Sequence, residues 1–310
     1  MEPKRNKRGI LHHEFENQHL KLEDLKRTGV SNGYLGNEIP EYPHPEFHVC
    51  RLKHDTDKKG LYGIRRDKGF KNLDKDGLLW WGLDVGSEEI TSAETKLLET
   101  TYPDRTEEQA QKQQSFLGKF ATSPAFKRTS RLGSYRFTFP LEEVLKAYSE
   151  KFCSGEPPVM RVFVTHLYKK EVMYAVLVHS PDKQEEFSRY PLLANDPNAV
   201  CAYEDGCFIW RSEAMCDSHT YELDLRHDEN QMAARKRNKR FYVWDNVALA
   251  LHVDKEVLKF KAGQLRKNLK FCEAEKVGLI PGVEFEDFSE AEEAVKELWP
   301  NNQSPLEKDE

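Results

Sequence analysis

The apolar positions of this chain switch repeatedly between a period of two and a period near 3.6 residues, which predicts strands and helices in alternation. Phe47–Leu52 reads as a first strand. Leu61 and Ile64 then mark the inner side of a helix over about Lys58–Lys68, and Gly69 suits the position after its last turn. Leu78-Leu-Trp-Trp-Gly-Leu-Asp-Val85 is a short apolar run bounded by Gly77 and Gly86, the pattern of a buried strand. Ser87-Glu-Glu opens a helix, with serine as the cap, acids at the positive end of the dipole, and Ile90, Ala93, Leu97 and Leu98 facing inward. Thr106-Glu-Glu-Gln109 has the form of a capping box, and Ala110, Leu117 and Phe120 follow at helical spacing. Tyr135, Phe137 and Phe139 alternate, so Gly133–Phe139 is a predicted strand. Pro140 then opens a helix whose Leu141, Val144, Leu145 and Tyr148 share one side.

The second half reads mostly as paired strands. Val159–Leu167 and Glu171–His179 predict a hairpin, as do Val200–Tyr203 and Cys207–Arg211 around Glu204-Asp-Gly206. Thr220–Leu225 is a further strand, His227–Arg240 a polar loop, and Phe241–Val253 returns to apolar character. Val257–Phe271 is expected to end in a helix. The fold class that follows is α+β: a mixed, mainly antiparallel sheet with flanking helices. The expected organisation is a flexible arm over 1–45, one α+β domain over 46–283, and an acidic segment over 284–310 whose last ten residues are disordered.

Composition narrows this picture. The 310 residues are 38% hydrophobic and 11% aromatic, enough for a packed core. A net charge of -6 argues against nucleic-acid binding over the whole surface. No run approaches the roughly 20 apolar residues of a membrane span, and the charged N-terminus lacks a secretory apolar segment. The six cysteines are scattered, without a Cys-x-x-Cys pair, and read as free thiols of an intracellular protein, cytoplasmic or, through Lys4-Arg-Asn-Lys-Arg8, nuclear. Cys201, Cys207, Cys216 and His219 are close in sequence, but their spacing is irregular for zinc, so no metal is expected and buried thiols are preferred.

Three short motifs carry candidate chemistry: His54-Asp55-Thr56 at the end of a strand before a helix that stops at Gly69-Phe70, Trp80-Trp81 on the next strand, and Glu171 opening a later one. In this order, over about residues 47–180, they resemble the ADP-ribosyltransferase superfamily, in particular the poly(ADP-ribose) polymerase branch with its His-Tyr-Glu triad. The resemblance implies an ADP-ribosyltransferase-like core and NAD as cofactor. His54 would orient a ribose, the backbone of Asp55 and Thr56 would hold the nicotinamide amide, and Trp80 or Trp81 would stack on its ring. Glu171 would steady the oxocarbenium-like charge, with Glu213 as a second candidate. Two departures stand out: Asp55 occupies the family's glycine and tryptophan its tyrosine. They point to mono-transfer, or to a protein that has lost catalysis, with a protein or nucleic acid as acceptor. The bland reading is that His54 and Thr56 simply end a strand, with Thr56 or Asp57 capping the helix.

Two alternatives remain open. Arg235, Lys236, Arg237, Lys239 and Arg240 precede Phe241, Tyr242 and Trp244, and cations beside aromatics suit single-stranded nucleic acid. The chain as a whole also resembles an uncharacterised family of bony-fish proteins. That resemblance favours an intracellular protein kept as one unit. The second alternative is a non-catalytic interaction protein of a stress or immune response, docking a binding partner on its acidic C-terminal region or its basic loop.

Overall fold

The computed structural model describes residues 2–309 except 7–8, 34, 36–43, 73–75, 116, 118–122, 170, 197, 214–218, 227–228, 237–243, 276–281 and 303, and gives the backbone alone for 219–236 and 244. The fold is α+β. Its elements in chain order are β1 (Lys4–Arg5), β2 (Leu11–Glu16), α1 (Leu22–Arg27), β3 (Glu46–Val49), β4 (Arg51–Thr56), α2 (Lys58–Asp67), β5 (Gly69–Lys71), β6 (Leu78–Leu83), α3 (Ser87–Thr101), α4 (Glu107–Lys112), β7 (Tyr135–Pro140) and α5 (Leu141–Phe152). There follow β8 (Val159–Leu167), β9 (Glu171–His179), β10 (Cys201–Glu204), β11 (Cys207–Arg211), β12 (His219–Arg226), β13 (Glu229–Lys236), β14 (Trp244–His252), β15 (Val257–Lys259), α6 (Ala262–Lys267), β16 (Leu269–Phe271), α7 (Phe288–Leu298) and β17 (Glu307–Lys308).

A ten-stranded sheet in the order β1-β2-β8-β9-β14-β6-β4-β7-β16-β17 organises the molecule. Its pairs are antiparallel except β9 with β14 and β16 with β17. One face is almost wholly apolar. Leu52, Trp81, Leu249, Val172, Tyr174 and Phe137 sit there in register and belong to a continuous core with Leu61 and Ile64 of α2, Leu141, Val144 and Tyr148 of α5, and Ala291 and Val295 of α7. The other face has a smaller apolar patch, Leu78, Leu177, Tyr190 and Ala250, with Trp80, Phe163 and Phe187 against it. The remainder of that face carries small residues and polar side chains.

Local signals explain the boundaries. Asp57 caps α2 by accepting from Gly60 N at 2.8 Å, and Lys68 ends it in the left-handed region at φ 56°. Gly69 follows because its α-carbon lies against Leu258: an added Cβ would sit 2.1 Å from that carbonyl oxygen. The capping box at Thr106 forms, but α4 stops at Lys112, well before Leu117. At α3 the cap is Gly86, whose N–H is taken by Glu89 at 2.8 Å, and Ser87 is the first helical residue. Asp205 and Gly206 both take positive φ, as the two-residue hairpin turn requires.

Several expectations are corrected. The stretch read as one strand, Phe47–Leu52, breaks at Cys50: β3 pairs with β11 in a three-stranded sheet, while β4 joins the large one. The signal is a phase slip. Phe47 and Val49 are buried at odd positions and Leu52 at an even one, so one period-two strand cannot bury all three. Cys50 is not a free thiol but is bonded to Cys207, Cα to Cα 4.6 Å. The expected loose arm, 1–45, supplies β2, with Phe15 buried, and α1, with Leu25 buried. The expected frayed end supplies β17, and Leu306 is buried beside it. Glu229–Lys236, expected as loop, is a strand in register with β12, because polar side chains do not prevent backbone pairing at a two-stranded ribbon. Over 257–271 the helix lies in the middle, and Leu269–Phe271 ends the stretch as a strand.

Candidate functional site

Strand alternation and register bring the polar residues of the second face together. Glu14 lies directly across from His166, His166 across from Met173, and Met173 beside Asn246. Gly82 pairs with both Ala248 and Lys53, and Asp55 pairs with Arg136. The small residues Gly82 and Ala248 leave room above the middle of the sheet, and a cleft of about 1460 Å³ lies there. Its lining runs from Lys4, His12 and Glu14 at one edge, past Trp80, His166, Tyr168, Glu171 and Asn246, to Lys53, Asp55 and Arg136. It continues around the end of β4 to Lys59, Gly60 and Tyr62 of α2.

His54, Asp55, Thr56, Trp80, Trp81 and Glu171 all border this cleft. They do not converge as a triad, however. His54 and Trp81 occupy the apolar face, where the imidazole packs 5.3 Å from Trp81 and 5.1 Å from Phe70, and its Nδ1 bonds the Trp80 carbonyl at 2.9 Å. Trp81 is 1% exposed and walled by Phe70 and Phe139, so its indole presents no surface on which a ring could stack. Glu171 stands on the opposite face, with Arg131 donating to it at 3.1 Å and Asn246 donating to its other oxygen. Arg131 also pairs with Glu275 at 3.2 Å. The indole on the Glu171 side is Trp80, 6.5 Å from His166 and 6.4 Å from Phe163. Thr56 is not the cap of α2, since Asp57 takes that place. Glu213 lies apart from the cleft and accepts from Leu22 N at 3.0 Å.

Asp55 is not a carboxylate intruding on a ligand. Both of its oxygens accept from Arg136, Nε and Nη2 at 2.7 Å each. Burial pushes this carboxyl up, but the adjacent guanidinium outweighs it and holds the group below its ordinary value. Arg136 is 1% exposed and also donates to Asp309 at 2.6 Å and to the Lys127 carbonyl at 2.8 Å. Beside it Lys53 donates to the carbonyls of Pro124 and Ala125 at 2.9 Å and of Lys127 at 3.2 Å. Burial and the neighbouring Arg136 charge bring the Lys53 ammonium down to about 7. This end of the cleft is a closed ionic network.

The other end is less closed. His12, Glu14 and His166 come together there, with Tyr168 5.4 Å from His12 and 6.1 Å from His166. Burial, then the charge of Glu171, raises the Tyr168 hydroxyl to about 12, so it is a neutral hydrogen-bonding group at neutral pH. The motif reading did not single out His12, Glu14, His166 or Arg131. The one sequence signal was the alternation His12-x-Glu14, which puts both side chains on one face and becomes informative once β8 is known to lie alongside.

Of the basic candidates, Arg235 and Lys236 end β13, while Arg237, Lys239 and Arg240 lie outside the described residues. Of the thiol candidates, Cys207 is in the disulfide, Cys201 is buried with its thiol pushed up by desolvation, and Cys216 lies outside the described residues. Among the described residues no helix is long and apolar enough to cross a membrane. Compared with protein-family models, curated proteins and solved structures, the chain matches none.

Proposed function

We propose that the cleft binds a nucleotide of the NAD class and holds it as a ligand, without transferring ADP-ribose. The supporting observation is a single cleft of about 1460 Å³ that combines a part-exposed indole, Trp80, with Tyr168 and with cationic side chains at both ends, Lys4 and Arg5 on one side and Lys59 on the other. That space exceeds the roughly 300–1,000 Å³ of ordinary ligand pockets, so a dinucleotide has room. Aromatic surface suits the bases, and a cationic side chain at either end suits phosphate oxygens. The reason for excluding transfer is electrostatic. A glutamate that stabilises a developing cation must face the reacting carbon with its charge uncompensated. Glu171 is instead matched by Arg131 and tied to Asn246, and His54 and Trp81 are turned to the other face.

Thermal unfolding with NAD, ADP-ribose and ATP tests the binding. A ligand that prefers the folded state raises the midpoint with concentration. NAD or ADP-ribose is expected to do so in the wild type and much less in Trp80→Ala. No shift at millimolar NAD would remove the nucleotide reading. Incubation with labelled NAD is expected to leave both the wild type and Glu171→Gln unmodified. Label incorporated by the wild type and lost in Glu171→Gln would show that transfer survives.

A further inference from the structure

We infer that His12, Glu14 and His166 form a binding site for one divalent transition-metal ion, with an open coordination position toward the cleft. The site follows from sheet geometry. His12 and Glu14 are two apart on β2 and so share a face, and His166 lies directly across from Glu14 on β8. One ligand atom from each lies within 4.8 Å of the others. The Glu14 Oε1 atom is 2.9 Å from His12 Nε2 and 3.8 Å from His166 Nδ1. Ligands at zinc bond lengths of about 2.0–2.2 Å in a tetrahedron are about 3.3 Å apart. The three atoms therefore bracket the required spacing, and small side-chain rotations close it. His13 alternates to the other face and takes no part.

Two further features fit a metal rather than a plain polar cluster. His166 Nδ1 is shut from solvent and has no hydrogen-bond partner among the described residues, a costly state for a buried ring nitrogen that a metal would relieve. The Nδ1 of His12 faces the Ile10 carbonyl at 3.3 Å, the outer-shell contact that fixes the tautomer and leaves Nε2 as the ligand. Two imidazoles and one carboxylate suit zinc or iron(II) and leave a position open for water or a ligand group. Lys4 opposes the ion: its ammonium holds the other oxygen of Glu14. It must swing aside or remain as an outer partner of the carboxylate.

The experiment uses the full chain, stripped with chelator, and metal alone, so its result does not depend on whether the cleft takes a nucleotide. Cobalt(II) is titrated in the visible region and zinc is measured by competition with a chromophoric chelator. One saturable equivalent is expected in the wild type. Glu14→Gln and His166→Ala should each weaken it by at least about tenfold, the lower bound set by losses from outer-shell changes alone. Lys4→Met should tighten it, because it removes a repelling charge without removing a ligand. His48→Ala, at a separate His–Glu pair on the surface, should leave it unchanged. Glu14→Gln keeps the side-chain shape, so its loss of metal, with an unaltered metal-free unfolding midpoint, reports ligation and not folding. No saturable equivalent in the wild type would overturn the site, as would equal affinity in Glu14→Gln and His166→Ala.

Discussion

A carboxylate reads the same in a sequence whether its surroundings favour the charge or the proton, and two aspartates here show both cases. Asp55 gains more from Arg136 than it loses on burial and stays below its ordinary value of 3.8. Its contribution to stability is present above that value and is lost as pH falls through the lower folded one. Asp245 is 0% exposed and accepts from Ser212 at 2.9 Å, Glu213 N at 3.1 Å and Trp210 at 3.4 Å, all neutral donors. Burial outweighs them and raises it to about 7. Between 3.8 and about 7 the folded state therefore holds a proton that the unfolded state lacks, and stability falls as pH rises through that window. Urea midpoints at pH 5 and pH 7.5 are expected to show the wild type gaining on Asp245→Asn at the lower pH. An identical change in both proteins would mean that Asp245 does not titrate there. Neither environment was legible beforehand, because the partners that surround these carboxyls, such as Arg136 and Ser212, are 81 and 33 residues away.

Elements whose signals are local were the most legible. The Asp57 cap with Leu61 and Ile64 fixes α2, and Tyr135, Phe137 and Phe139 fix β7. Elements that depend on a remote partner were not. β2 is polar except for Leu11 and Phe15 and forms because β8 offers an edge. β3 and β4 look continuous until the disulfide and the second sheet separate them. That bond joins the residue before β4 to the first residue of β11 across 157 residues of chain. Closing so long a loop in the unfolded state gives the bond a stabilising effect of about 2–5 kcal/mol. Reductant, or Cys207→Ser, is expected to lower the unfolding midpoint accordingly, and mass spectrometry under non-reducing conditions should find the Cys50–Cys207 peptide pair. Disulfides are rare in the reducing cytosol, so the pairing stands against the free-thiol reading from which an intracellular setting was inferred.

For the whole molecule, what matters is which face of the large sheet a residue occupies. The sequence indicated α+β architecture and the border of the cleft, because strand ends supply both. It did not indicate that His54 and Glu171 are on opposite sides, since facing depends on how β4, β6, β14 and β9 align. Nor did it indicate that the first residues complete the cleft. Removing residues 1–17 would strip β1 and β2, take away Lys4, His12 and Glu14, and leave Val164–Leu167 of β8 as an unpaired edge, while Arg161 keeps its bridge to Leu192. Such an edge recruits other chains. The truncated protein is expected to associate with rising concentration in light scattering while the full chain does not. A monodisperse truncated form would show that another segment covers that edge.

The same strand order separates the two ends of the chain. β1 closes one margin of the sheet and β17 the other. Nine spacings of about 4.8 Å lie between them, a path of about 40 Å along the sheet. Joining them in a circular permutant would take a linker of a dozen residues or more, and dyes placed on the two ends would act as a ruler across every strand of the sheet at once.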